Sequence, residues 1–436
     1  MQISLYSLAN SVEEARASYI ERHPKSRQMS QAATQVMPGG NTRTVLYYSP
    51  FPLYFERGEG AYLWDSEGFQ YLNLLGEFTA GIFGHSHPII REAIQEALAQ
   101  GLNLSGHTPG EIRLAQLIHD RFPSMELMRF TNSGTEANLM AISAAKLTTR
   151  RDAVMIFSGA YHGGVLSFSA GQESLNVPFQ FIKSKYNDIQ TTRDLLRSHG
   201  SELACVLIEP MIGAGGCIPA DIEFLKMLRS ETQLCGAALI FDEVMTSRLS
   251  IGGAQALHNI VPDLTTLGKY LGGGMSFGAF GGARHLMEPF DPSRPGSVAH
   301  AGTFNNNVLS MAAGSAALER ILTKDVLEKL NLRGDRLRKG LNEAFSCADV
   351  PLQATGQGSL LNIHAMRNSI RCPEDLAANN ELIKELFFLD MLESGYYMAR
   401  RGFIALNIEI SDIEIDRFLQ SVSNFLEKRR DVLVGV

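Results

Sequence analysis

Short runs of apolar residues alternate with helical patterns through the middle of this chain. The clearest runs are Leu127–Phe130, Ala153–Phe157, Ala204–Ile208 and Ala237–Phe241. Buried strands that read as continuous apolar runs and are separated by helices are typical of a mainly parallel sheet covered by helices. The alternation therefore predicts an α/β fold for the larger part of the chain.

The order of elements changes after about residue 306. Helical patterns over 326–345 and 374–392 alternate there with strand-like runs over 360–364 and 403–407. A capping box, Ser411 with Glu414, opens the last helix. This part of the chain is predicted to form a smaller α+β domain.

The chain is long enough for two unequal domains. It has 436 residues, of which 45% are hydrophobic, so it can bury a large core. We expect an N-terminal arm over 1–60 that joins the small domain, a large domain over 61–305 and a small C-terminal domain over 306–436.

Composition excludes several classes of protein. Lys and Arg total 39 against 46 for Asp and Glu, so the chain lacks the basic surface that nucleic-acid binding needs. No run approaches the roughly 18 apolar residues of a membrane span, and Met1 to Glu14 does not resemble a signal peptide. We expect a cytoplasmic protein that binds neither nucleic acid nor membrane.

The cysteines and histidines do not indicate a metal site. Five cysteines are an odd number without a C-x-x-C pair, which favours reduced, mostly buried thiols. His85 and His87 could be offered as a metal pair, but no third ligand accompanies them and Pro88 directly follows. A structural loop is the better interpretation, and we expect no metal.

A polar turn lies where the first apolar run is expected to lead into a helix. The turn reads Thr131 to Asn138, TNSGTEAN, and a helix that starts there would present free N–H groups and hydroxyls to a phosphate. An ordinary Ser/Thr helix cap explains the turn equally well. Neither G-x-G-x-x-G nor a P-loop motif occurs, so a dinucleotide or a P-loop nucleotide is not indicated.

Two residues that follow this turn in the sequence could take part in the same site. Asp242 ends an apolar run, where a carboxylate could cap a helix or could pair with a cationic ring nitrogen. Lys269 stands among apolar residues and before three glycines, where it could be solvated or could form an imine with an aldehyde. Phosphate, ring nitrogen and aldehyde are the three groups of pyridoxal phosphate that a protein must hold.

With these residues in this order, the chain resembles the class III aminotransferases, which have the fold type I architecture of pyridoxal-phosphate enzymes. The matching stretches are Pro38–Gly40, Gly84–Pro88, Asn132–Ala137, Tyr161–Gly163, Glu209–Pro210, Asp242–Val244, Leu267–Lys269 and Gly302–Thr303. The resemblance implies a large domain with a mainly parallel seven-stranded sheet, a smaller α+β domain and pyridoxal 5'-phosphate as cofactor.

The resemblance also implies a role for each matching residue. Lys269 would be the Schiff-base lysine and Asp242 the partner of the pyridine nitrogen. The remaining implied contacts are Ser133, Gly134 and Thr135 on the phosphate, Tyr161 and Val244 on the two ring faces, Glu209 near the cofactor, and Thr303 on the phosphate bound by the neighbouring subunit. The last contact implies a homodimer with shared active sites.

The chain departs from many members of the family at two places. Gly164 stands where many relatives have histidine, and Asn307–Val308 stands where they have Asn-Pro. We expect both differences to reshape the pocket without removing the cofactor.

Two arginines bear on the substrate. The segments around Arg43 and Arg401 resemble those of the β-phenylalanine aminotransferases, in which the matching arginines bind carboxylates; arginine forks suit that task. The resemblance implies transfer of an amino group from a β-amino acid to 2-oxoglutarate by a ping-pong mechanism. Tyr47, Tyr48, Phe51 and Phe78 could line an aromatic pocket, although such residues more often fill a core.

Three alternatives remain open from the sequence. A glutamate-1-semialdehyde 2,1-aminomutase shares several of the motifs, although the Arg401 segment and Asn305–Asn307 favour a transaminase. An amine:oxo-acid transaminase would act on plain amines. A non-catalytic protein that keeps the fold is disfavoured, because lysine, aspartate and phosphate turn are retained together.

Overall fold

The computed structural model describes residues 2–169 and 171–434, with side chains from residue 8 onward. Its helices are α1 Gln2–Arg22, α2 Pro24–Ala33, α3 Pro88–Gln100, α4 Pro109–Arg121, α5 Gly134–Thr149, α6 Ile189–His199, α7 Ile222–Cys235, α8 Gly253–His258, α9 Arg284–Met287, α10 Val308–Arg320, α11 Lys324–Cys347, α12 Glu381–Glu393, α13 Asp412–Lys428 and α14 Arg430–Leu433. Its strands are β1 Phe55–Glu59, β2 Tyr62–Asp65, β3 Gln70–Asn73, β4 Leu127–Thr131, β5 Ala153–Phe157, β6 Gln180–Ser184, β7 Leu203–Ile208, β8 Met211–Ile212, β9 Ile218–Pro219, β10 Ala238–Asp242, β11 Leu264–Gly268, β12 Gly278–Gly282, β13 Gln353–Gln357, β14 Leu360–His364, β15 Tyr396–Tyr397 and β16 Phe403–Ala405.

Seven strands form the large sheet, in the order β4-β12-β11-β10-β7-β5-β6. Strands β11, β10, β7, β5 and β6 run parallel to their neighbours in that series, whereas β12 is antiparallel to both β11 and β4. The predicted mainly parallel seven-stranded sheet is therefore confirmed.

Alternate residues of the central strands pack into two cores on opposite faces of this sheet. Val154 and Ile156 join a core with the alanine-rich face of α5, while Met155 and Phe157 join the other core beside Phe224 of α7. The two-residue period of a strand explains this division. Small side chains on α5 bring that helix close to the strand ends that carry the candidate site.

The described residues form two compact units. One comprises the described residues of the ranges 1–87, 330–369 and 377–436, and the other comprises those of 88–329 and 370–376. The first contains the sheets β1-β2-β3-β15 and β13-β14-β16, with α1 packed on α12; the second contains the large sheet. The domain boundaries expected at residues 60 and 305 stay a prediction.

One helix differs from its predicted bounds. The pattern over 374–392 divides into a 3₁₀ helix, Pro373–Ala378, and α12, which begins at Glu381. The Asn380 side chain caps α12 by accepting hydrogen bonds from the N–H groups of Leu382 and Ile383. Each helix among the described residues is too short or too polar to cross a lipid bilayer.

Candidate active site

Three strands of the large sheet end at the same edge. Asp242, the last residue of β10, is the register partner of Thr266 in β11. Gly268, the last residue of β11, pairs through Gly278 of β12 with Thr131, the last residue of β4. The residues that follow β4 and β11 are thereby brought beside Asp242, where an open α/β sheet binds its ligands.

The turn after β4 leads directly into α5. Ser133 is the N-cap, and its hydroxyl accepts a hydrogen bond from the Glu136 N–H at 3.2 Å. The N–H groups of Gly134 and Thr135 precede the first intrahelical bonds and therefore remain available to an anion. The local arrangement fits a phosphate.

Val244 fills the space between this turn and β11. A Cβ atom on Gly134 would lie 2.9 Å from Val244 Cγ2, and one on Gly268 would lie 3.3 Å from Val244 Cγ1. The backbone approaches closely here because glycine has no side chain. Val244 therefore contacts both the start of α5 and the residue before Lys269.

Lys269 begins the 3₁₀ turn Lys269–Gly272 with a φ of 55°. A non-glycine residue in the left-handed region carries steric strain, and such residues cluster at functional sites. The side chain is half-buried. Gly268 precedes this turn and Gly273 ends it.

The Asp242 carboxylate is buried and accepts three hydrogen bonds. Asn138 Nδ2 and His162 Nδ1 donate to Oδ2, each at 2.8 Å, and the Val244 N–H donates to Oδ1 at 3.0 Å. Because a carboxylate offers about four acceptor positions, Oδ1 retains room for another donor. A protonated ring nitrogen fits that position.

Glu243, the next carboxylate, serves the fold. It is fully buried, and its oxygens accept hydrogen bonds from Thr246 Oγ1 and from the N–H groups of Ala254 and Gln255 at the start of α8. Burial raises the pKa of Glu243, and these donors oppose that rise. The Glu243 carboxylate therefore stabilises the start of α8.

Glu209 follows β7 and is 5% exposed. Its oxygens accept hydrogen bonds from the N–H groups of Tyr161 at 2.9 Å and Gly213 at 3.0 Å. Burial raises the pKa of Glu209 to about 7, with His162 lowering it and Asp242 raising it. Glu209 thus fixes the backbone at Tyr161, whose own side chain is 43% exposed.

Thr303 lies on an exposed stretch that is anchored nearby. Asn132 Nδ2 donates to Asn305 Oδ1 at 2.9 Å, which ties this stretch to the phosphate turn. Thr303 itself is exposed. A contact of its side chain with a neighbouring subunit stays a prediction.

The two predicted arginines meet at one aromatic ring in the other compact unit. The Cζ atoms of Arg43 and Arg401 lie 5.7 and 5.4 Å from the centroid of Phe78. Arg43 also forms an ion pair with Glu77. Four successive residues, Gly76 to Thr79, have positive φ and form the turn that presents Glu77 and Phe78.

Arg400 and Arg401 have different environments although they are adjacent. Arg400 Nη2 donates to Glu385 Oε2 at 2.9 Å, and Arg16 binds the same buried carboxylate. Arg401 lies over Phe78 and Phe403, whose rings are stacked. Arg401 is therefore the member of the pair that shares the Phe78 ring with Arg43.

The aromatic pocket expected from the sequence does not form as predicted. Tyr48 and Phe51 are each 6% exposed and pack in the core around Tyr19. Tyr47 is 53% exposed, so Phe78 is the member that contacts the arginines. Aromatic residues after Arg43 fill the core, which is their commoner use.

The described residues contain no group of three or more His, Cys, Asp or Glu arranged for a metal ion. His85 Nε2 instead forms a hydrogen bond with Asn73 Nδ2 at 3.0 Å. Its neighbourhood is a structural turn.

Sequence reasoning placed Asn138 at the end of the polar turn without giving it a role, and it missed Thr266 and Glu77. Asn138 is 1% exposed on the buried, alanine-rich face of α5, and a polar residue on such a face is a visible signal. Thr266 and Glu77 carry no comparable signal, because their partners are distant in sequence.

Comparison with known proteins identifies relatives over nearly the whole chain. The aminotransferase class-III family model matches residues 46–423. The chain is 49% identical over 413 residues to the β-phenylalanine transaminase of Variovorax paradoxus, covering 95% of both chains. A solved structure of a β-phenylalanine aminotransferase from that organism has a TM-score of 0.96 at 47% identity, covering 98% of this chain and 99% of that one.

Two other solved structures are similar. An ω-transaminase from Sphaerobacter thermophilus is 35% identical with a TM-score of 0.87, covering 94% of this chain and 99% of that one. A glutamate-1-semialdehyde aminomutase from Pseudomonas aeruginosa is 22% identical with a TM-score of 0.89, covering 98% and 99%, and it shares the fold. From its sequence, its sheet and these relatives, the chain belongs to the class III aminotransferases, which are fold type I enzymes that depend on pyridoxal phosphate.

Proposed function

We propose that this enzyme transfers the amino group of a β-amino acid of the β-phenylalanine kind to 2-oxoglutarate. The observation that carries the proposal is the pair Arg43 and Arg401 beside Phe78, in a chain that is 49% identical to a β-phenylalanine transaminase. Two guanidinium groups suit substrates that carry carboxylates. Phe78 would offer an apolar surface to an aryl or alkyl side chain.

The proposed roles of the remaining residues follow from the chemistry of their positions. Bound pyridoxal phosphate supplies an electron sink for the carbon that carries the amino group. The N–H groups at Gly134 and Thr135 and the Ser133 hydroxyl would bind its phosphate. Asp242 would pair with its ring nitrogen, and Lys269 would bind its aldehyde and move the substrate proton.

Three residues would define the walls of the cofactor site. Val244 would cover one ring face, because it already lies between Gly134 and Gly268. Tyr161 would stack on the other face, with its backbone fixed by Glu209. Each of these roles is inferred from contacts between residues of the protein.

The enzyme would alternate between two forms in a ping-pong reaction. The amino donor would leave as an oxo acid before 2-oxoglutarate enters, so one site would accept two carboxylates in turn. The two arginines provide a reason for this dual acceptance, because each can bind a carboxylate in a forked geometry.

We also propose a homodimer with shared active sites, in which Thr303 contacts the cofactor phosphate of the neighbouring subunit. The exposure of Thr303 and the tie between Asn305 and the phosphate turn support this. A cytoplasmic location is proposed from the free thiols of the described cysteines, because reducing compartments preserve such thiols.

A screen of amino donors with 2-oxoglutarate tests the proposal. The donors are β-phenylalanine, aliphatic β-amino acids, α-amino acids and plain amines, and glutamate is the measured product. Lys269→Ala serves as the inactive control. We expect the largest kcat/KM with β-phenylalanine, whereas activity with plain amines alone would overturn the role of the arginines.

The same screen distinguishes the alternative functions when glutamate 1-semialdehyde is added as a further substrate and the visible absorption is recorded. An aminomutase would convert glutamate 1-semialdehyde without a second acid, and an ω-transaminase would favour plain amines. A non-catalytic protein would show a yellow colour that no amino donor changes. The paired arginines favour the β-amino acid transaminase over these functions.

A further inference from the structure

Asn138 joins Asp242 to a threonine on the neighbouring strand. Its Nδ2 donates to Asp242 Oδ2 at 2.8 Å and to the His162 carbonyl at 3.0 Å, while its Oδ1 accepts from Thr266 Oγ1 at 2.7 Å. Asn138, Thr266 and Asp242 are 1%, 0% and 4% exposed. Every polar atom of the Asn138 side chain therefore has a partner away from water.

The orientation of the amide follows from its neighbours. A carboxylate accepts hydrogen bonds, so the NH₂ end of Asn138 must face Asp242 and its carbonyl oxygen must face Thr266. That oxygen needs a donor, and the Thr266 hydroxyl supplies one. Because Thr266 is the register partner of Asp242, the sheet fixes the backbone that carries this hydroxyl.

We propose that Asn138, oriented by Thr266, is a positioning residue that directs the Asp242 carboxylate at the ring nitrogen of the cofactor. This inference rests on the role of Asp242 given under the proposed function. A hydrogen bond to the charged form of a carboxylic acid favours that form, and burial makes the bond stronger. Among the described residues, two other titratable groups face Asp242. His162 forms a hydrogen bond with it, and Glu209 lies close enough to interact with its charge.

A change at Asp242 should alter the proton affinity of the Lys269 nitrogen, because the charge of the cofactor ring acts on both groups. If Asp242 loses this donor and is no longer directed at the ring nitrogen, it stabilises the ring proton less and the ring becomes less positive. The nitrogen of Lys269 then retains its own proton to a higher pH. The pH midpoint of the holoenzyme's visible absorption therefore reports the state of Asp242 without requiring turnover.

Four variants of the holoenzyme test the proposal. Asn138→Leu removes the donor at similar volume, and Thr266→Val removes only the hydroxyl that orients the amide. Thr266→Ser keeps that hydroxyl. Thr265→Val is the matched control, because Thr265 is also fully buried but its hydroxyl accepts from Gln255 Nε2 at 3.2 Å.

We expect the absorption midpoint to rise by about one pH unit in Asn138→Leu, since the free energy of a hydrogen bond to a charged group corresponds to a pKa change of about one unit. Thr266→Val should rise by a smaller amount, and the first half-reaction should slow about tenfold in Asn138→Leu. Thr266→Ser and Thr265→Val should match the wild type. Cofactor affinity, measured by equilibrium dialysis, should fall in the same order.

Midpoints that are unchanged in both Asn138→Leu and Thr266→Val would overturn the positioning role while leaving the proposed function intact. If Asn138→Leu does not fold, the comparison of Thr266→Val with Thr266→Ser decides, because the two differ in the hydroxyl and a methyl group. A wild-type protein without lysine-bound cofactor would overturn the proposed function and this inference together.

Discussion

The guanidinium group of Arg401 lies over the ring of Phe78, with 5.4 Å between Cζ and the ring centroid. The adjacent Arg400 instead binds the buried carboxylate of Glu385. The two neighbouring arginines thus have different partners, which agrees with the proposed role of Arg401 in substrate recognition and with a stabilising role of Arg400. Arg400 is therefore a matched control for Arg401, because it is the same type of residue at the neighbouring position.

Arg401→Ala should raise the KM for 2-oxoglutarate by about 10- to 100-fold, because a hydrogen-bonded charge pair contributes about 1.5–3 kcal/mol. Its melting temperature should stay close to that of the wild type. Arg400→Ala should instead lower stability by about 1–3 kcal/mol and leave the KM unchanged, since Glu385 loses one of two cations. Steady-state kinetics and thermal melting check both, and the reverse pattern would contradict the assignment.

Asp242→Asn and Glu243→Gln should separate catalysis from folding at two adjacent carboxylates. Asp242→Asn should lower kcat by at least about 100-fold, because an amide cannot stabilise a cationic ring nitrogen by charge. Glu243→Gln should keep kcat but lose about 1–3 kcal/mol of stability, because the N–H groups of Ala254 and Gln255 lose a charged acceptor. Denaturant unfolding and initial rates provide the two readouts.

Lys269→Gly should abolish activity and yet produce a more stable apoprotein than Lys269→Ala. The φ of 55° at this position suits glycine, and a left-handed residue with a Cβ costs about 1–2 kcal/mol. Differential scanning calorimetry of the two apoproteins measures the gap. Borohydride treatment followed by mass spectrometry should label the wild type at this lysine and neither variant.

Gly134→Ala should weaken cofactor binding, because its Cβ would lie 2.9 Å from Val244 Cγ2. We expect a destabilisation of about 1–3 kcal/mol from overpacking and a dissociation constant raised about tenfold. Adding Val244→Ala removes the clashing methyl group and should recover part of the stability. An additive loss in the double variant would show that the two positions do not share this contact.

Glu209 should make the stability of the cofactor-free protein fall as pH rises. Burial raises the pKa of Glu209 from 4.5 to about 7, so the native state binds more protons than the unfolded state between those values. Stability then decreases with rising pH across that window. Glu209→Gln should have a flatter pH profile of melting temperature, and parallel profiles would contradict the prediction.

The sequence predicted the parts of the fold that depend on local patterns. The strands β4, β5, β7 and β10 lie within a residue of the apolar runs that predicted them, and Ser411 forms the expected capping box. The helix expected over 374–392 was wrong at its start, because Asn380 caps a new helix there. Local helix propensity before Asn380 could not reveal that the chain turns.

The candidate site was predictable only in part. Ser133, Asp242 and Lys269 follow strand ends, which the parallel sheet brings to one edge. The partner of Asn138 is 128 positions away in Thr266, so no window of sequence contains both. The family resemblance singled out Arg401, but the local pattern does not explain why Arg400 differs from it, because the difference arises from which side of the chain meets Glu385 or Phe78.

The antiparallel strand β12 has a consequence for the synthesis of the enzyme. It pairs with both β4 and β11, so the turn at Ser133 cannot take its place beside Lys269 until Gly278–Gly282 has been made. A nascent chain that has emerged from the ribosome only as far as Lys269 still lacks the strand that joins the two. We therefore expect the proposed site for vitamin B6 to be completed only after Gly278–Gly282, and with it most of the larger unit, has left the exit tunnel.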